Sequence, residues 1–263
     1  MSDLKINRDT EIRRLAKVTN LPEAELTFLN KLDGSELMKL RGQLNTKLLK
    51  EFEPTFKKLA SGGGLLPESM IAKLCMKFFG PRLTANTAYY TPAERSTKMG
   101  KKFTPEFLAA VAQEWIPEFA EPLLRDQPVE LMRPSTMIML EKRDYYTMGS
   151  FVDFTPFEKL LALMNDINDP LASLKICSFC QRKDRMAQLV EHFSDEQVRE
   201  FIITGHANPE LLPEIMNIAA NMTDDEKLRQ KGITEALGDD YVERSRKQMV
   251  ALGLETELGS LFD

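Results

Sequence analysis

Cys177-Ser178-Phe179-Cys180 sets two thiols three residues apart, a spacing compatible with a redox pair or with half of a zinc site. Zinc takes four ligands, and the other candidates in the chain are His192, His206 and Cys75. The intervals from Cys180 to His192 and from His192 to His206, with eleven and thirteen residues between them, fit no finger or ribbon. A redox pair needs a lowered thiol pKa, which a helix N-terminus supplies. Here the pair stands toward the end of a helix expected to begin at Pro170, where the dipole opposes thiolate formation. Residues three apart share one helix face, so Cys177 and Cys180 read as small buried hydrophobes, with zinc and redox chemistry as the alternatives.

Acid–base chemistry has few carriers. His192 precedes Phe193 at a helix end, and His206 lies in Thr204-Gly205-His206-Ala207-Asn208, which reads as a loop behind a glycine stop signal. Neither faces a recognisable nucleophile elbow, since the chain contains no G-x-S-x-G. Capping or surface roles are therefore expected of both. Asp144, Asp153, Asp166 and Asp169 are the carboxylates that could converge, although acids at helix ends ordinarily serve as caps. Gly62-Gly63-Gly64 lacks the Lys-Ser/Thr of a phosphate loop and reads as a hinge. These residues point to no catalytic set, no cofactor and no metal ligand set.

Two surfaces could bind rather than react. Arg95, Lys98, Lys101 and Lys102 form a basic patch suited to an anionic headgroup or an acidic partner, or simply to a solvent-facing helix end. Residues 132–164 hold five methionines and five aromatics. Met132, Met137, Met139, Tyr145, Tyr146, Met148, Phe151 and Phe154 are the candidates there for lining a partner or ligand groove. Methionine adapts its shape on such surfaces, and the alternative reading of the same residues is core.

The elements that must position these residues are announced by proline. Thr91-Pro92, Thr104-Pro105, Ile116-Pro117, Gln127-Pro128, Thr155-Pro156 and Asp169-Pro170 each precede an apolar-periodic run. Proline suits the first helical position, where its missing N–H has no intrahelical partner, and Thr or Asp before it can cap the next amides. After Pro105, Phe107, Leu108, Val111 and Ala112 share one face; after Pro156, Phe157, Leu160, Leu161 and Met164 do. The first four starts are thirteen, twelve and eleven residues apart, leaving helices of about ten residues, roughly 15 Å long. Helices so short need their neighbours, and their tight connections make them fold back in succession. Further helices are expected near 10–18, 22–32, 35–52, 67–79, 82–90, 134–143, 145–152, 182–193, 195–204, 208–221, 224–236 and 239–252, with no convincing strand. The fold expected is all-α, a right-handed superhelix of short antiparallel helices. Its division is a helical N-terminal module over 1–60, an array over 65–205 and an acidic helical extension over 206–263. Ser61-Gly62-Gly63-Gly64 is the expected linker, and Leu254, Leu258, Leu261 and Phe262 recur at helical spacing in a tail expected to cap its own array.

Composition narrows the function classes. The chain of 263 residues is 43% hydrophobic and 29% charged, with a net charge of −5. Residues 1–60 carry +3, 61–194 are neutral and 195–263 carry −8, which argues against general nucleic-acid binding. No apolar run reaches the roughly 18 residues of a membrane span, the N-terminus MSDLKINRDTEIRR lacks the apolar core of a signal peptide, and three cysteines make no disulfide framework. A cytoplasmic protein is expected.

"LPESMIAKLCMKFFG" (66–80), "TPAERSTKMGKKF" (91–103), "TPEFLAAVAQEW" (104–115) and "IPEFAEPLLRDQ" (116–127) resemble the cytoplasmic N-terminal domain of MgtE-type magnesium transporters. They are similar also to the helical repeats of the flagellar motor switch protein FliG. The resemblance spans about residues 65–205. It implies a stacked-helix fold and a regulatory or scaffolding role, and carries over no binding residue. The leading expectation is thus a non-enzymatic interaction or scaffold protein with a protein partner or self-association. The alternative is a binding protein for a hydrophobic or lipid-like small molecule, and an enzyme of unknown chemistry stands third.

Overall fold

The computed structural model describes residues 8–62 and 66–262, and every regular element among them is helical. No helix among the described residues is long and apolar enough to cross a membrane. Two compact units emerge, Met1–Ile138 and Met139–Asp263.

The first unit holds α1 (Arg8–Thr19), a 3-10 turn (Glu23–Leu29), α2 (Gly34–Gly62) and α3 (Glu68–Leu74). A π-helical turn (Cys75–Phe79), α4 (Gly80–Ala88), α5 (Ala93–Gly100), α6 (Pro105–Glu114) and α7 (Pro117–Asp126) follow. α8 (Val129–Glu141) carries the boundary between the units. The second unit continues with α9 (Tyr145–Val152), α10 (Phe157–Asp166), α11 (Pro170–Ser178), α12 (Lys183–Val190) and α13 (Asp195–Ala207). It ends with α14 (Leu212–Ala220), α15 (Asp224–Leu237), α16 (Asp239–Leu252) and α17 (Glu255–Phe262).

Within each unit the packing alternates. α3 lies against α5 and α5 against α7, while α4 lies against α6. In the second unit α9, α11, α13, α15 and α17 form one run of neighbours and α12, α14 and α16 another. Helices two apart in sequence therefore share a layer, as short rods that fold back on one another must.

The prolines do mark helix starts, but only Pro105, Pro117 and Pro170 take the first helical position; Pro92 and Pro156 stand one residue earlier, as N-caps with extended ψ, and Pro128 precedes α8. Thr104 Oγ1 accepts from Phe107 N–H at 3.2 Å and Asp169 Oδ1 from Ala172 N–H at 3.0 Å, with Pro105 and Pro170 at the first helical position. Thr91 and Thr155 do not cap forward. Their hydroxyls donate back to Thr87 O (3.0 Å) and Phe151 O (2.9 Å), closing the preceding turn instead. Ser194 and Gln197 form a reciprocal capping box at α13, and Asp33 with Glu36 form another at α2.

Two helices outrun the sequence reading. α2 was expected over 35–52 before a linker, yet it continues through Pro54 to Gly62, so Ser61 and Gly62 are its last residues. α8 merges the start at Pro128 with the run expected at 134–143, and Pro134 lies inside it. A proline within a helix orphans the carbonyl four residues earlier. Lys50 and Glu130 are both exposed, so water can serve those carbonyls and the helices persist. Gly63 and Gly64 of the expected linker lie outside the described residues.

α1 and α2 enclose a small core of Ile12, Leu15, Leu26, Leu29 and Leu37. Along α2, Leu37, Arg41, Asn45 and Leu49 follow at four-residue intervals as its buried face. At the far end of the chain Gly253 (φ +66°) adopts the left-handed conformation expected of it and closes α16. Leu254 N–H reaches Met249 O at 3.1 Å and Gly253 N–H reaches Val250 O at 3.1 Å, a Schellman closure. α17 then packs on α14, α15 and α16, with Leu258 wholly buried. The side chains of Leu261 and Phe262 lie outside the described residues.

Candidate functional site

Of the residues flagged for chemistry, the structure brings Cys180 into contact with Asp153. Cys177 and Cys180 are both buried in the second unit. Burial pushes the Cys177 thiol up to about 12, against the pull of the Lys183 ammonium. Cys180 is also raised, by burial first and then by the Asp153 carboxylate, to which its Sγ donates at 3.0 Å. The same carboxylate accepts from Gln181 N–H at 3.2 Å and Arg182 N–H at 3.0 Å. Asp153 thus holds the turn between α11 and α12 in place. Asp144 and Asp169 act as helix caps. Among the described residues, no three of His, Cys, Asp and Glu gather closely enough to hold a metal ion.

The histidines differ. His192 is exposed at the end of α12, its Nδ1 placed to donate to Gln188 O at 3.0 Å. His206 corrects the sequence reading: it lies in the last turn of α13, not in a loop, and it is buried. Gly205, read as a stop signal, is instead a packing glycine, because a Cβ there would stand 2.0 Å from Ile215 Cδ1. With Gly205 in place, the Ile215 side chain of α14 can lie directly against α13; a larger residue would push its Cδ1 aside. His206 Nε2 meets Ser245 Oγ at 3.0 Å, and burial, with a smaller push from Arg244, lowers its pKa to about 4.

Of the groove candidates, Met139, Met148 and Phe151 are core residues. Met132, Met137, Tyr145, Tyr146 and Phe154 are half-buried. In the basic patch, Lys98 pairs with Glu94 at 2.7 Å, and Lys101 and Lys102 are exposed at the end of α5. Arg95 does something else: its Nη2 donates to Leu66 O at 3.1 Å, and the residue lines a cavity.

That cavity, of about 280 Å³, lies in the first unit and is the site with the clearest capacity to bind. It is near the lower end of the range for small-molecule pockets. Its walls come from the end of α2, from α3 and the π-helical turn, and from α4, α5 and α6, with Trp115 and Gln127 completing them. Leu59, Ile71, Leu74, Leu83, Met99, Leu108 and Val111 supply an apolar lining. Two hydroxyls among the walls are spent on the backbone: Thr84 donates to Gly80 O at 2.8 Å and Thr91 to Thr87 O. Burial raises the Cys75 thiol in the wall, opposed by the Thr84 hydroxyl, so it presents itself as an uncharged surface.

The π-helical turn shapes one wall. Gly80 N–H bonds to Cys75 O, five residues back, so this stretch carries one residue more than an α-helical turn would. Gly80 leaves it at φ +71°, a conformation glycine adopts without strain. The widened turn places both Cys75 and Phe79 on the cavity. π-bulges of this kind gather at functional sites.

The sequence reading placed a possible hydrophobic site at 132–164, whereas the cavity uses residues between 58 and 127. Of the residues singled out for chemistry or binding, Arg95, Cys75 and Gly62 line it. The one available signal was the mixture, in 66–80, of a helical run with paired exposed phenylalanines, Phe78 (74%) and Phe79 (41%).

Compared with protein-family models, with curated proteins and with solved structures, the chain matches none.

Proposed function

We propose that this is a non-catalytic binding protein whose first unit takes up a hydrophobic small molecule in the cavity walled by α2 to α6. The observation that carries the reading is an apolar chamber of about 280 Å³ whose rim residues Leu59, Leu66 and Phe79 remain open to water. Apolar side chains left exposed around an apolar hollow are stabilised when a ligand covers them. Three buried, unpaired cysteines suit a reducing compartment, which favours a cytoplasmic setting.

The test is a neutral apolar dye, N-phenyl-1-naphthylamine, whose emission rises on entering a dry site. Wild type should bind it saturably. Ala88→Phe, which fills the chamber from α4, should lose that binding while its circular dichroism stays helical, and Thr87→Trp should behave likewise. If both folded variants bind the dye as wild type does, the cavity is not the binding site.

A second reading, a helical-array platform for a protein partner, is favoured by the alternate packing of helices in each unit. The right-handed superhelix and scaffold role implied by the MgtE-type resemblance belong to that reading. Partner capture with no bound small molecule, together with dye-negative wild type, would favour it over the cavity.

A further inference from the structure

We infer that the cavity's ligand is an aliphatic carboxylate, held with its carboxyl group at Lys58 and Arg95 and its chain inward; this rests on the reading of the cavity as a ligand site. Charge carries the inference first. Among the described residues, the charged ones lining the cavity are Lys58 and Arg95, both cationic, with no Asp or Glu among them, in a chain whose net charge is −5. Burial then sets the direction. Lys58 is exposed and Arg95 half-buried, whereas Ile71, Cys75 and Val111 are buried in the same lining. Deeper in, the polar side chains of the lining are neutral, Thr84, Ser96, Trp115 and Gln127, and none supplies a positive charge. An ionised head must therefore stay at the cationic, water-facing end, because burying it unpaired is prohibitive. The Lys58 ammonium is exposed to water, and a planar guanidinium matches a carboxylate's two oxygens. The exposed Leu59, Leu66 and Phe79 would cover the first methylenes of the chain.

The protein carries its own reporter. Trp115 is the chain's single tryptophan and lines the cavity, so its emission reads the occupant directly. Full-length protein at pH 8 is titrated with dodecanoate, dodecanol and dodecylammonium, each below its micellar concentration. Dodecanoate should bind about tenfold more tightly than dodecanol, the worth of one charge-assisted contact. In Lys58→Gln/Arg95→Gln that preference should fall to within about twofold, with dodecanol affinity unchanged. Across octanoate, decanoate and dodecanoate, affinity should rise by about fourfold per methylene until the chamber is full. Equal binding of acid and alcohol, or tighter binding of the ammonium, overturns the headgroup assignment and leaves the cavity reading standing. A Trp115 signal that answers none of the three overturns both.

Discussion

His206 is a base that folding keeps uncharged. Its pKa in the folded chain is about 4 against an ordinary 6.5, because the ring is buried between Ser245 and Tyr241. The unfolded chain therefore takes up the proton first on acidification. Stability from this residue is complete above about pH 6.5 and is lost as the pH falls toward 4. Between pH 7.5 and pH 5 the loss should be about 2 kcal/mol. Urea unfolding of wild type and His206→Leu at both values isolates it: the difference in pH dependence between the two proteins should be of that size, and parallel curves would show that His206 is hydrated when folded. The residue's burial was not legible, because Gly205 before it has two uses. A glycine that ends a helix and a glycine that lets two helices touch look alike until Ile215 is seen beside it. The cysteines were easier to read. Cys177 lies late in α11 and Cys180 just past its end, where the dipole disfavours a thiolate, and burial has the same effect.

At the scale of elements, what joins α1, α2 and α7 is a buried ionic network. Arg41 Nε donates to Glu11 Oε2 at 2.7 Å, its Nη1 pairs with Glu118, and Arg14 Nη1 reaches Glu11 Oε1 at 3.0 Å. Glu11 is wholly buried and Arg41 nearly so. Burial works against the Arg41 charge, but Glu118 and Glu11 outweigh it and raise its pKa. Truncating one member strands the others, so Arg41→Leu should cost about 3–5 kcal/mol in chemical denaturation. The double variant Glu11→Leu/Arg41→Leu should cost less than Arg41→Leu alone, since it removes the stranded charge as well. A double variant at least as damaged as the single one would mean that the network's worth lies in attraction rather than in mutual neutralisation. Nothing in the sequence announced this network, for its members lie 30 and 77 residues apart. Helix starts, by contrast, were legible wherever proline and a cap coincide. Helix ends were not: whether Pro54 or Pro134 stops a helix depends on whether the carbonyl four residues back can find water, which is a tertiary fact.

At the scale of the whole molecule, α17 closes the last packing surface of the second unit with Leu258. Deleting residues 254–263 should lower the melting temperature by several degrees and leave the mass in light scattering that of the undeleted protein. A change in mass would make the tail an element of assembly instead. The all-helical class was legible from periodicity and punctuation, whereas the cavity was not. Each of its walls, such as Leu108 and Val111 on α6, reads in isolation as an ordinary apolar stripe. A hollow is a shortage of side-chain volume where several stripes meet, and no single stripe records it.

The π-helical turn adds a consequence of its own. One residue advances an α-helix by about 100°. Removing a single residue, Met76 for instance, would return Cys75–Phe79 to ordinary winding; because the wide turn absorbs the extra residue, Phe79 would shift by only part of that angle, and the wall would tighten at the chamber. The aperture is thus governed by how many residues the segment contains more than by which ones they are. Length acts here as a dial on the doorway, and substitutions at Met76 or Lys77 that keep the count should leave the doorway where it stands.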